Sequence, residues 1–180
     1  MADQKKEQLG TWVFDGKPEY SVTPLMAFRE IAEQGSVNLL YEPGLPFSRS
    51  RDAEGIKKAV TQARKADVIL YFCGEEAILS GEARCRANLN LPGAQCEMME
   101  ALAATGKPVI MIVMAGRPLT IGAQAEKAAA VLYAFHGGTR AGVGIANLLT
   151  GKANPSGKTP ITFPKMVGQI PLYYNRHNTG

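Results

Sequence analysis

The chain has 180 residues, 46% of them hydrophobic and 20% charged, with a formal net charge of +4 at pH 7. That length and balance fit one globular domain with a substantial core, and the dispersed lysines, with no basic run interleaved with aromatics, exclude a nucleic-acid footprint. No apolar run reaches membrane-spanning length, and Met1–Lys6 lacks the apolar core of a signal peptide, so the sequence indicates no membrane partner and names no compartment.

Thr23-Pro24 reads as an N-cap followed by a first helical residue, and Leu25, Phe28 and Ile31 carry the helix to Gly35. Val37–Tyr41 reads as a short strand closed by Glu42-Pro43-Gly44, and 46–52 as loop. From Glu54 to Lys65, Ile56, Val60 and Ala63 recur at helical spacing. Val68–Cys73 is a continuous apolar run with β-branched and aromatic members, the pattern of a buried strand. A helix over 94–105 is ended by Gly106. Two further strands are predicted at Val109–Met114 and Ala130–Phe135, with a short segment near 122–127 between them. A last helix spans 142–150. The tail, 151–180, is extended and proline-punctuated, with Ile161–Phe163 as an edge strand.

Apolar strands alternating with amphipathic helices predict an α/β fold: a mostly parallel sheet covered by helices on both faces, in one domain over 1–180. Fold alone does not specify function.

Between the Val68–Cys73 strand and the next helix runs Ser80-Gly81-Glu82-Ala83-Arg84-Cys85-Arg86, followed by Asn88-Leu89-Asn90-Leu91-Pro92-Gly93. The loop leaves the carboxyl end of a strand, where open α/β sheets place ligand chemistry. A carboxyl group held there beside arginines is a candidate acid/base, because charge and burial tune its protonation. A second reading stands beside it, in which Glu82 pairs with Arg84 or Arg86 and pins the loop. Glu75 reads as a structural carboxylate and Glu76 as a solvated charge. His136, at the same sheet edge, reads as a loop-packing residue, with lining a cleft as the second reading.

Gly151–Thr159 imitates a phosphate-binding loop but fails on chemistry. Its leading glycine is misplaced, Pro155 removes a backbone donor, and Pro160 forbids the helix that would aim the others. With two histidines and three scattered cysteines, no metal site and no disulfide framework is predicted, core thiols are the reading for the cysteines, and no cofactor is implied. Trp12, the one tryptophan, reads from its own context as a half-buried packing residue.

Several ordered motifs together resemble the second, α/β-sandwich domain of glycoside hydrolase family 3, the β-glucosidases and their relatives. They are Leu9-Gly10-Thr11-Trp12, Val22-Thr23-Pro24-Leu25, the Ser80-Gly81-Glu82 loop, Ala115-Gly116-Arg117-Pro118-Leu119, Asn154-Pro155-Ser156-Gly157-Lys158 and the 167–175 segment. They span essentially the whole chain. His136 stands in Phe135-His136-Gly137-Gly138, where the family has His-Pro-Gly, a departure that affects the local backbone.

The resemblance implies a three-layer sandwich whose first strand is missing here. It implies Glu82 as the proton donor to the leaving sugar oxygen, and Trp12 stacking on the sugar beyond the scissile bond. Arg84 and Arg86 would then shape the loop. It also implies a β-glucoside or oligosaccharide substrate shared with a preceding barrel domain, which would hold the aspartate nucleophile, and no segment of this chain resembles that motif. A parent protein exported to the periplasm or beyond is compatible with this reading. A sheet lacking a strand leaves an edge through which the chain would self-associate. The competing class is a non-catalytic, flavodoxin-like module that binds a sugar or nucleotide or serves as an interaction scaffold.

Overall fold

Three apolar runs form a parallel sheet, β1 (Ile69–Gly74), β2 (Val109–Met114) and β3 (Ala130–Tyr133), in the order β1-β2-β3. Cα register pairs Ile69 with Val109 through Gly74 with Met114, and Ile110 with Ala130 through Val113 with Tyr133. The protein is described here by a computed structural model covering residues 1–35, 37–175 and 177. Six helices accompany the strands among those residues: α1 (Lys5–Leu9), α2 (Pro24–Glu33), α3 (Ala53–Ala63), α4 (Gln95–Ala103), α5 (Gly122–Ala125) and α6 (Ala141–Leu149).

Strand side chains alternate between two cores, as a strand buried on both faces requires. Ile69, Tyr71 and Cys73 of β1 join Met111 and Val113 of β2 against Met98, Met99 and Leu102 of α4, with Ile56 and Val60 of α3 packed on them. Leu70 and Phe72 face the other way, onto Ala27 and Phe28 of α2 and Ala146 of α6. The result is the three-layer sandwich predicted, with α3 and α4 on one face and α2 and α6 on the other.

Local chemistry explains the helix starts. Thr23 Oγ1 accepts from the Met26 N–H at 3.2 Å, with Pro24 as the first helical residue. Asp52 caps α3 by accepting from the Glu54 and Gly55 N–H groups, both at 3.0 Å. Gly106 takes a positive φ of 74° just beyond α4, which lets the chain turn into β2.

Two predicted strands are absent. The 37–41 segment runs extended, but among the described residues it pairs with no strand, and Val37 is 45% exposed. Residues 37–48 and Val68–Phe72 line a cavity of about 430 Å³, and Leu39 meets β1 through the side-chain cluster it shares with Leu70 and Phe72, with no backbone hydrogen bond from 37–41 among the described residues. Ile161–Phe163 is also irregular. Pro160 and Pro164 flank it, and its Phe163 ring packs edge-on against Tyr133 at 4.7 Å rather than entering a sheet. β3 ends at Tyr133, two residues before its predicted end, because Phe135 turns the backbone with a φ of 53°. No helix of the described residues is long and apolar enough to cross a membrane.

Candidate active site at the carboxyl end of the sheet

The three non-glycine residues with positive φ among the described residues are Trp12 (57°), Ala83 (58°) and Phe135 (53°). Phe135 follows β3, Ala83 lies in the loop after β1, and Trp12 follows α1. These loops meet over the carboxyl end of the sheet. A Cβ placed on Gly81 would lie 2.9 Å from Thr11 Oγ1, and one on Gly10 would lie 3.0 Å from the His136 Cβ. Left-handed backbone at bulky residues costs energy and persists only where surrounding contacts enforce it.

Those contacts centre on Glu75. It follows β1 directly, its N–H bonds to the Met114 carbonyl at 2.8 Å, and its side chain is fully buried. One carboxylate oxygen accepts from Arg86. The other accepts from Arg117 Nε at 3.1 Å and from Ser80 Oγ at 3.3 Å. Two guanidinium groups thus satisfy one buried carboxylate, the condition for holding such a charge out of water.

Arg117 reaches its place because Gly116 precedes it, where a Cβ would collide with Ser80 at 2.5 Å. Its Nη2 donates to two carbonyls of the loop, Leu79 and, at 2.8 Å, Arg84. Tyr133 of β3 holds the backbone from beneath. Its hydroxyl donates to the Arg117 carbonyl and accepts from the Leu119 N–H at 3.2 Å. Burial is the main cause that raises the pKa of this phenol, so it remains a donor well into the alkaline range.

Gln95 closes the neighbouring end of β1. Its Oε1 accepts from the Gly74 N–H at 2.7 Å, and its Nε2 donates to the carbonyls of Gly74, Pro92 and Ser48 at 2.8, 3.0 and 2.9 Å. A side-chain amide here substitutes for a stretch of neighbouring strand. Glu76 is not the solvated charge predicted. It accepts from Ser48 Oγ at 2.6 Å and from Arg49 Nε at 3.1 Å. Partial burial opposes its ionisation, but the Arg49 and Ser48 hydrogen bonds outweigh that and hold its pKa below the usual carboxylate value.

Glu82 is exposed at the tip of this loop, and among the described residues it makes no ion pair. The predicted pairing with Arg84 or Arg86 does not form. Arg86 is engaged by Glu75 and the Asn90 carbonyl, and Arg84 is exposed. Trp12 is 62% exposed, its ring 5.9 Å from that of Phe14, so the half-buried packing role does not describe it. The Thr11–Gly81 approach brings its loop beside that of Glu82. His136 packs into the fold, with Nδ1 2.9 Å from the Glu7 carbonyl and Nε2 buried with no hydrogen-bond partner among the described residues. Cys73 is buried and Cys96 half-buried, but Cys85 is exposed in the Glu82 loop, so it is not the core thiol predicted. Among the described residues no three His, Cys, Asp or Glu side chains converge as metal ligands.

Fold and site together define a parallel α/β-sandwich domain that presents a pinned, carboxylate-bearing loop at its carboxyl end. The sequence matches the glycosyl hydrolase family 3 C-terminal domain over residues 1–180, and the chain belongs to that family. It is 35% identical to the periplasmic beta-glucosidase of Salmonella typhimurium, over an alignment covering all of this chain and 26% of that protein. It is also 35% identical to a beta-xylosidase of Formosa agariphila, covering 96% of this chain and 24% of that protein. The crystal structure of a beta-glucosidase from Listeria innocua in complex with glucose superposes with a TM-score of 0.87 at 32% identity, over 99% of this chain and 24% of that one. The chain thus spans about a quarter of the length of these relatives.

Proposed function

We propose that this chain is the part of a retaining β-glucosidase that supplies the general acid/base, and that Glu82 is that residue. The observation that carries the reading is the state of Glu82: exposed, without an ion pair among the described residues, and carried on a loop whose backbone is pinned on both sides of it. A proton donor needs access to the leaving oxygen and a fixed position more than it needs burial. Retaining glycosidases use two carboxyl groups roughly 5–5.5 Å apart, one a nucleophile and the other an acid that later acts as base. The nucleophile is assigned to a barrel domain of the longer protein. The exposed face of Trp12, beside the Glu82 loop, suits stacking on the sugar beyond the scissile bond, since aromatic faces pack well on pyranose C–H groups. Arg86 and Arg84 shape the loop, Arg86 through its ion pair with Glu75. The substrate is a β-glucoside or oligosaccharide shared between the two domains, and the reaction requires no cofactor.

Alone, the chain should give no turnover, because a proton donor without a nucleophile leaves the opposite face of the oxocarbenium-like transition state unsupported. Joined to a family 3 barrel, it should hydrolyse aryl β-glucosides. In that enzyme, azide should rescue Glu82→Ala and yield the β-glucosyl azide, since a small anion needs no general base to attack the glycosyl-enzyme. Failure of azide to form this product, with Glu82→Ala otherwise folded, would remove Glu82 from the acid/base role. Sugar binding by the joined protein without cleavage would favour the non-catalytic module.

A further inference from the structure

We infer that Glu75 and Arg117 form a positioning pair that sets the place of Glu82 without touching the substrate, an inference that rests on the acid/base reading above. Glu82 makes no ion pair among the described residues, so its location depends on the backbone of its loop. One Arg117 nitrogen, Nη2, bonds the carbonyls of Leu79 and Arg84, which bracket the four residues Ser80–Ala83. Within that bracket the turn is closed by the Arg84 N–H bonding the Gly81 carbonyl at 3.2 Å, and Ala83 is held at a φ of 58°. A single planar cation therefore fixes both ends of the turn that carries the acid.

Arg117 can do this only if its guanidinium plane is itself fixed, and Glu75 fixes it through Nε. Glu75 is rigid because its N–H is bonded to the Met114 carbonyl at the end of β2 and its carboxylate is fully buried. The Tyr133 hydroxyl donates to the Arg117 carbonyl, so the backbone of the arginine is tied to β3 while its head is tied to Glu75 and the loop. The chain of force runs from the β1–β2 ladder through Glu75 and Arg117 to the loop carbonyls, and so to Glu82. Arginine is required because a lysine ammonium is a point donor without the planar fork that serves a carboxylate and two carbonyls together. Glu75 itself is too deep to be the proton donor.

The test has two arms. In the 180-residue chain, Arg117→Lys and the isosteric Glu75→Gln should speed hydrogen exchange at the Ser80 and Arg84 amides by about tenfold or more, while the Val109–Met114 amides change less than about twofold. Equal acceleration in both places would make the pair a general stabiliser and overturn the inference. In the chain joined to a family 3 barrel, Glu75→Gln should lower hydrolysis of a natural β-glucoside about tenfold more than that of a nitrophenyl glucoside, part of the 10²–10⁴-fold that general acid catalysis supplies. A structural defect would lower both alike, and that result overturns the inference. If Glu82→Ala shows this split and Glu75→Gln does not, positioning fails while the acid/base reading stands. If only Glu75→Gln shows it, both fail. If the joined wild-type enzyme gives no turnover, the acid/base reading fails and the exchange arm alone decides the clamp.

Discussion

The free side of β1 is finished in two ways within five residues. At Gly74, the N–H and carbonyl that point away from β2 are bonded by the Gln95 amide, and Glu75 just beyond is enclosed by two arginines. At Leu70 and Phe72 the corresponding backbone groups face the cavity of about 430 Å³ and have no strand beside them among the described residues. In a parallel ladder alternate residues bond to opposite neighbours, so these positions are equivalent in geometry and differ only in what meets them. The difference shows where the fold places its polar rigidity. Side chains close the edge tightly where the Glu82 loop departs, and leave it open two residues earlier.

Cutting the closed end should cost most. Glu75→Ala leaves two guanidinium groups facing a cavity with no counter-charge, and breaking such a buried pair from one side costs about 3–5 kcal/mol. Urea unfolding of the 180-residue chain measures it, and a loss below about 1 kcal/mol would mean the arginines find other partners. Gln95→Leu keeps the volume and removes four hydrogen bonds, leaving buried carbonyls and the Gly74 N–H unsatisfied. The expected loss is about 2–4 kcal/mol by the same assay, since each unmade buried bond costs roughly 1–3 kcal/mol less whatever water recovers.

The rim of the site should respond to pH more gently. Glu76 has a folded-state pKa below its ordinary value, so its contribution is present above the unfolded-state pKa and disappears as pH falls through the folded one. Glu76→Gln should therefore flatten the acid side of the stability profile, and only modestly, because solvent screens a pair whose Arg49 partner is exposed. An unchanged acid limb in Glu76→Gln would contradict this. At the open end, unpaired backbone favours association between copies. The chain is expected to show concentration-dependent association in sedimentation, weakened by a charge at the half-exposed edge position in Val68→Lys. A monomer at every concentration would show that the cavity-side segment already protects the edge.

Much of this arrangement was legible in the sequence. The apolar runs of β1 and β2 marked two-sided burial, and Thr23-Pro24 marked the start of α2. The Ser80-Gly81-Glu82 motif placed Glu82 on the loop that follows β1, where it stands. The clamp was not legible, because Arg117 and Glu75 lie 42 residues apart and meet only through the β1–β2 register. Two weak signals pointed to it: a charged residue directly after a buried strand, and a glycine directly before Arg117. The 37–41 segment reads as a strand because its apolar residues, Val37, Leu39, Leu40 and Tyr41, specify an extended chain, but they do not specify a partner. Helix α1 leaves no mark in the sequence because Lys-Lys-Glu-Gln-Leu has no apolar stripe; it is held instead by Gln8 bonding the Gln4 and Met1 carbonyls and by Glu7 accepting from the Ala77 N–H.

The most direct test of the central claim is the leaving-group dependence of kcat/KM. It would be measured on a series of ring-substituted aryl β-glucosides, for the joined wild-type enzyme and its Glu82→Ala variant. A good leaving group departs without a proton, whereas a poor one needs it, so general acid catalysis should flatten the dependence. General acid catalysis by Glu82 predicts a shallow slope in the wild type and a steep one in the variant, with the two converging for the most acidic phenols. Parallel slopes, displaced by the same factor at every leaving group, would contradict it and leave Glu82 a structural residue of its loop.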